Sequence, residues 1–197
     1  MKFCAAALIA LLPCLAAAVD QDRGKQIGSP SAPVRMELYS DFQCPHCRVF
    51  HEAVLPELLK DYIVPGKVLL ISHEFPLPMH QHAREAADYA TAAARIGKYQ
   101  EVSSALFLSQ DAWANNGKVW DAVASALTPA EQKKVQALVK ESSVLSEVQS
   151  DLQGGTMAGV NETPTLIIFS GSKRYSFPGP TPGNYSLLRS LIDGLVR

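Results

Sequence analysis

Between positions 34 and 39 apolar residues alternate with others: Val34, Met36 and Leu38 are separated by Arg35, Glu37 and Tyr39. This is the two-residue period of a strand. From Pro45 to about Tyr62 the spacing becomes helical, with Val49, Phe50, Ala53, Val54, Leu58 and Leu59 on one stripe and Pro56 expected to kink the helix. Lys67 to Phe75 reads as a second strand, rich in branched residues and suited to a central place in a sheet. Strand, helix, strand predicts a parallel pair joined by a crossover. From His80 to about Leu152 no strand pattern stands out. An alanine-rich helix is predicted over about Ala83–Ile96, and Thr128-Pro129-Ala130-Glu131 carries a capping threonine, a first-turn proline and a matching glutamate for a helix through Leu138. Strands return at Thr165–Phe169 and Lys173–Phe177 around the turn Ser170-Gly171-Ser172. Thr181-Pro182 then opens a terminal helix with Leu187, Leu188, Leu191, Ile192 and Leu195 on its apolar face. The pattern is an α/β framework in two halves, Val34–Phe75 and Pro164–Val196, interrupted by a helical insertion at about 80–155.

The two ends of the first thirty residues differ from this domain. Met1-Lys2, an apolar run from Phe3 to Leu15 and the small-residue site Ala16-Ala17-Ala18 have the layout of a secretory signal peptide over residues 1–18. The run is short for a membrane span, which needs about 20 residues; a retained anchor and a lipid-modified Cys14 are the alternatives. Residues 19–33 form a polar leader, and residues 34–197 the expected domain.

Composition narrows the function. The chain has 197 residues, 47% of them hydrophobic, enough for one ordinary domain with a core. Lys plus Arg number 18 against 19 Asp plus Glu, with no basic run, which argues against a nucleic-acid binder. Removal of residues 1–18 would take Cys4 and Cys14 away and leave two cysteines, Cys44 and Cys47.

Those two carry the chemistry. Cys44 follows a strand and opens a helix, where unpaired backbone N–H groups and the helix dipole favour a thiolate. His46 can add charge or a donated hydrogen bond, bringing the thiol below its free value of about 8.5. Cys47 lies one turn further in and is expected to be more buried, the partner that closes a disulfide. A low-pKa thiolate is a good leaving group, so such a disulfide is oxidising. Two plainer alternatives stand beside this reading. An inert disulfide would close a ring too small to be a useful staple. A zinc site would have to recruit His46, His51, His73, His80 or His82, because no second cysteine pair remains. His51 and His73 are themselves read as structural.

With these pieces in place, the chain resembles the thioredoxin-like proteins of the DsbA type, the exported disulfide oxidoreductases of bacteria. The matching segments are Ser40-Asp41-Phe42-Gln43-Cys44-Pro45-His46-Cys47, Glu74-Phe75-Pro76-Leu77 and Val160-Asn161-Glu162-Thr163-Pro164-Thr165, with a helical insertion between the last two. The resemblance implies a thioredoxin-like fold with a helical insertion, and a redox-active Cys44–Cys47 disulfide as the only prosthetic element, with no metal. It places Pro45 and His46 as the dipeptide between the catalytic cysteines. It also implies a cis Pro164 facing them, with Thr163 offering its backbone to an extended substrate. The implied partners are reduced or misoxidised exported polypeptides and a quinone-linked membrane protein for reoxidation, and the implied place is the periplasm or another extracytoplasmic compartment. Isomerases of this broad family usually carry a separate dimerisation domain, and the short polar leader leaves no room for one; a monomer is expected. An isomerase or reductase on the same fold is the rival within this chemistry, and a non-catalytic peptide-binding module the rival outside it. One departure is clear: thioredoxin-like proteins commonly bury an acid six residues before the first cysteine, and here that residue is Leu38. Glu37, one position away, belongs to the opposite face of the strand.

Overall fold

The computed structural model describes residues 24–196; the signal segment 1–18 and the first part of the leader lie outside the described residues. Two strands form the centre. β2 (Val34–Ser40) buries Val34, Met36 and Leu38 on one face, as the alternation requires. β3 (Val68–Glu74) is almost wholly buried and pairs with it in parallel, Leu38 standing in register with Ser72 and Ser40 with Glu74. The crossover between them is helical from α1 (Pro45–Val49) through α2 (Leu55–Leu58) to Ile63. The interruption expected at Pro56 is present as widened π-type turns over Phe50–Val54 and Leu59–Ile63, with Pro56 in the first turn of α2, where a missing N–H is tolerated.

The helical insertion contains α3 (Ala83–Ala94), α4 (Tyr99–Leu108), α5 (Gln110–Trp113), α6 (Val119–Ser125), α7 (Pro129–Leu138) and α8 (Ser142–Met157). The capping box read at Thr128 and Glu131 is formed in full at the start of α7. β4 (Thr165–Ser170) then pairs antiparallel with β2, and β5 (Lys173–Pro178) with β4. A short 3-10 turn at Pro182–Asn184 leads into α9 (Tyr185–Leu195). One sequence expectation needs correction. Residues 19–33 are not wholly a leader outside the fold, because β1 (Gln26–Ile27) pairs antiparallel with the free edge of β3, giving the order β1-β3-β2-β4-β5. A two-residue strand shows no period, so the pattern of apolar positions could not reveal it.

Burial divides into three parts. Val34, Met36, Leu38, Leu70, Leu166 and Ile168 on one face of the sheet pack under Phe50, Val54 and Leu58 of the crossover helix and Leu188 and Ile192 of α9. The opposite face, with Tyr39, Phe75 and Ile167, is covered by α8; Gly155 there leaves no room for a Cβ, which would fall 2.6 Å from the Phe75 ring. The insertion has its own core of Ala86, Ala90, Val102, Leu106, Trp113 and Val123, and Phe42, Cys44 and Cys47 belong to it. The cysteine pair therefore sits at the seam between framework and insertion. Among the described residues no helix is long and apolar enough to cross a membrane.

Candidate active site

Cys44 is the N-cap residue of α1, in extended conformation, with Pro45 in the first turn. The sharp change from strand to helix between Ser40 and Pro45 is held by side chains distant in sequence. Asp41 is 1% exposed, and its carboxylate accepts from the backbone N–H of Gln43 and of Leu77 and hydrogen-bonds His80 Nδ1, each at 2.7 Å. Gln110, from α5, donates its amide to the carbonyls of Phe42 and Cys44 at 2.7 and 3.1 Å. Gln43 donates to Ala114 and accepts from the backbone of His82. These ties fix where the helix starts, and so where its free N–H groups point. Of the residues that make them, Gln110 carries no sequence signal, and His80 takes a structural place rather than the zinc-ligand role weighed for it. Adjacency to Cys44 is the signal for the other two, Asp41 and Gln43.

The two cysteines are free thiols here, both buried, Cys44 at 4% and Cys47 at 0% exposure. Their environments differ in sign. Cys44 is lowered to about 5, first by the neighbouring Cys47 thiol and then by the Thr163 side chain and the backbone N–H groups of Cys47 and His46, which favour its thiolate against the opposing effect of burial. Cys47 is pushed well above the ordinary range, first by desolvation and then by its hydrogen bond to Cys44 and the charge there. The Ser40 hydroxyl and the Asp41 backbone N–H, 3.4 Å away, are its compensating donors.

Opposite Cys44 lies the start of β4. The Thr163–Pro164 peptide bond is cis, as the resemblance implies. The Cys44 thiol donates to the Thr163 carbonyl at 3.4 Å. The Thr163 hydroxyl is buried with no hydrogen-bond partner and acts to lower the Cys44 thiol, so it is free to serve the thiolate. The structure thus brings Cys44, Pro45, His46 and Cys47 together on one helix turn with Thr163-Pro164 against the first sulfur. His46 is exposed, and its backbone N–H, rather than its imidazole, is what the structure directs to Cys44. Thr163, whose backbone the resemblance implies for substrate, also turns its hydroxyl to the first sulfur.

The other histidines have structural partners. His51 stacks on Phe107, with ring centroids 4.9 Å apart, and its Nε2 is 3.2 Å from the Ser104 hydroxyl; burial holds its pKa below the usual value. His73 stacks on Tyr39 and hydrogen-bonds Asp151 at 2.8 Å. Glu37 is held by Arg35 and the Tyr39 hydroxyl, away from Cys47. Leu38 is buried in the apolar core under the crossover helix.

A dithiol at a helix start thus faces a cis proline, with one thiol acidified and one suppressed. Consistent with that, the family model described as thioredoxin (Thioredoxin_4) matches residues 20–178, and the chain belongs to this family. Among solved structures, DsbA1 of Wolbachia pipientis shares the fold with a TM-score of 0.72 at 23% identity, over 87% of this chain and 90% of that one. A Rickettsia conorii protein carrying the provisional name protein-disulfide oxidoreductase is 23% identical over 171 residues, 84% of this chain and 57% of its own length. The Na(+)/H(+) antiporter NhaA 1 of Mycolicibacterium gilvum is 31% identical over 179 residues, 89% of this chain but 27% of that protein. The chain thus spans about a quarter of the length of that curated relative.

Proposed function

We propose that the chain is an exported thiol–disulfide oxidoreductase that donates a Cys44–Cys47 disulfide to reduced polypeptides. The observation that carries this reading is the geometry of the pair, Cys44 at the start of α1 against the cis Thr163–Pro164 bond with Cys47 buried behind it, and the opposite displacement of the two thiols supports it. A substrate thiolate attacks the Cys44 sulfur of the disulfide, forming a mixed disulfide and releasing Cys47, which takes up a proton. A second substrate thiolate attacks the substrate sulfur of that bond. Cys44 leaves as a thiolate, a good leaving group at a depressed pKa, and the substrate departs with its own disulfide. The two electrons remain on the protein as the dithiol until a membrane redox partner removes them. Export is supported by the layout of residues 1–18, and an oxidising compartment suits the direction of reaction. The named Rickettsia relative and the Wolbachia structure support the same chemistry by likeness. Thr163 and Pro164 provide the edge on which an extended substrate would lie.

The test separates the cysteines. Cys47→Ala should stall as a mixed disulfide through Cys44 when offered an oxidised substrate, seen as a thiol-reversible band on a non-reducing gel. Cys44→Ala should trap little, and neither variant should oxidise reduced ribonuclease. Equal trapping, or undiminished oxidation by either variant, would sink the mechanism. Equilibration with glutathione then distinguishes an oxidase from a reductase by its potential.

A further inference from the structure

Cys47 must lose a proton each time it closes the disulfide and gain one each time the disulfide opens, yet it is wholly buried and Leu38 occupies the place of the usual acid. Asp41 touches Cys47 through its backbone N–H, 3.4 Å from the sulfur, but three donors already occupy its carboxylate. A different route is built across the register of β2 and β3. At one end Ser40 lies beside Cys47, where its hydroxyl acts to lower the thiol's pKa. At the other the Tyr99 hydroxyl donates to Glu74 Oε1 at 2.8 Å, with the Ser72 hydroxyl beside it acting to lower the Tyr99 pKa. Between them lies a cavity of about 20 Å³, with Leu38, Ser40, Ser72, Tyr99 and Gln100 in its walls. The Gln100 side-chain N–H group is buried there without a protein partner. A water needs about 10–15 Å³ and two to four polar partners, and this space offers both.

We propose that Glu74 is the proton store for Cys47, reached through Tyr99, Ser72, one water in this cavity and Ser40. The proposal rests on the oxidoreductase reading above and deepens it. In closing the disulfide, the Cys47 proton passes to Ser40, the Ser40 proton to the water, and so on through Ser72 and Tyr99 to the Glu74 carboxylate. The Cys47 thiolate then attacks the Cys44 sulfur of a mixed disulfide; the Cys44–Cys47 bond forms, the Cys44–thiol bond breaks, and the departing thiolate is protonated by solvent. The donor sense already present, Tyr99 to Glu74, is the sense this transfer requires. Opening the disulfide runs the relay backwards.

Glu74 is suited to the task at neutral pH. Burial raises its pKa to about 7, with Lys25 opposing and Asp151 and Glu147 reinforcing the rise. The groups around it are Lys25, Tyr99, Asp151 and Glu147, with His73 bonded to Asp151 and Arg95 to Glu147. An acid at that value gives and takes protons with little bias.

The experiment follows two steps separately. Reduced full-length protein is mixed with glutathione disulfide between pH 5 and 9, and samples are acid-quenched and resolved by mass. Attack by Cys44 gives the glutathione mixed disulfide; Cys47 then releases glutathione. The second step should show an inflection near pH 7. In Glu74→Gln and in Tyr99→Phe it should lose that inflection and fall about a hundredfold at pH 7, the usual scale of general acid–base assistance. The first step draws on Cys44 and is the internal control: its failure in the unaltered protein would count against the oxidoreductase reading rather than the relay. Tyr99→Phe leaves every charge in place, so it decides the matter if Glu74→Gln does not fold. A second step with the original rate and inflection in folded Tyr99→Phe would overturn the proposal.

Discussion

The acidity of Cys44 should make the stability of the reduced protein depend on pH in a way that the oxidised protein cannot share. An ordinary thiol titrates near 8.5, and Cys44 is lowered to about 5. The folded value is the depressed one, so its stabilisation is complete above the unfolded value and disappears as pH falls through the folded one. At pH 7 the unfolded thiol is still protonated while the folded one is ionised. Only the interval from about 5 to 7 is therefore expressed, a factor of about a hundred or about 3 kcal/mol. For a two-electron couple that same factor makes the disulfide more oxidising by about 60 mV than one closed on an ordinary thiol. Cys47, raised in the folded state, is protonated in both states below about 8.5 and adds no slope there. Glu74 titrates in both redox forms and cancels to first order in the comparison.

The perturbation is thus the redox state itself, and the assay is urea unfolding of reduced and oxidised protein at pH 5, 6, 7 and 8. The stability of the reduced form minus that of the oxidised form should rise by about 1.4 kcal/mol per pH unit above pH 5, flattening as pH approaches 8.5. A difference that stays flat or falls across that range would refute the assignment of a stabilised Cys44 thiolate.

Three further outcomes follow from named contacts. Thr163→Val removes the side-chain donor to Cys44; with a hydrogen bond to a charged group worth about 1.5–3 kcal/mol, the thiol should rise by one to two pH units in a thiolate absorbance titration. His46→Ser keeps the backbone N–H and should move the titration less; a larger shift than that of Thr163→Val would restore the imidazole as the main tuning group. Lys25→Met leaves Glu74, Glu147 and Asp151 buried without their shared cation and should cost about 3–5 kcal/mol. Its deficit should be smaller at pH 5 than at pH 8, because the carboxyls can then take up protons; urea unfolding showing the same loss at both pH values would contradict this.

Much of the fold was legible because its signals are local. The alternation in β2, the capping box of α7 and the apolar stripe of α9 each specify an element within a few residues. The site was legible to the same degree, since a helix start and two cysteines one turn apart are contiguous in the chain. What escaped has long sequence separation. Lys25 reads as one polar residue in a polar stretch, yet it is 1% exposed and ion-paired with Asp151, 126 positions away. Gln110 reads as a surface glutamine, yet it holds the carbonyl of Cys44 from 66 positions away. Neither has a period or a motif, because what buries them is the closure of the insertion onto the framework.

The same closure explains how two identical side chains one turn apart acquire opposite properties. Cys44 precedes the helix and meets the free N–H groups at its start, and α1 itself supplies its backbone donors. Cys47, inside the first turn, has no such ends available and is enclosed by the insertion core, so desolvation dominates it. The two effects reinforce each other through one shared proton: the Cys47 thiol donates to the Cys44 thiolate, lowering the first thiol and raising the second. A more exposed Cys47 would not need that proton so firmly, and Cys44 would lose its largest stabilising contact. The reactivity of the outer sulfur therefore depends on the burial of the inner one, and burial in turn makes proton transfer to Cys47 a structural problem. Leu38 offers no proton there, whereas Ser40 on β2 and Ser72 and Glu74 on β3 line up across the strand pair, where the register already brings them together.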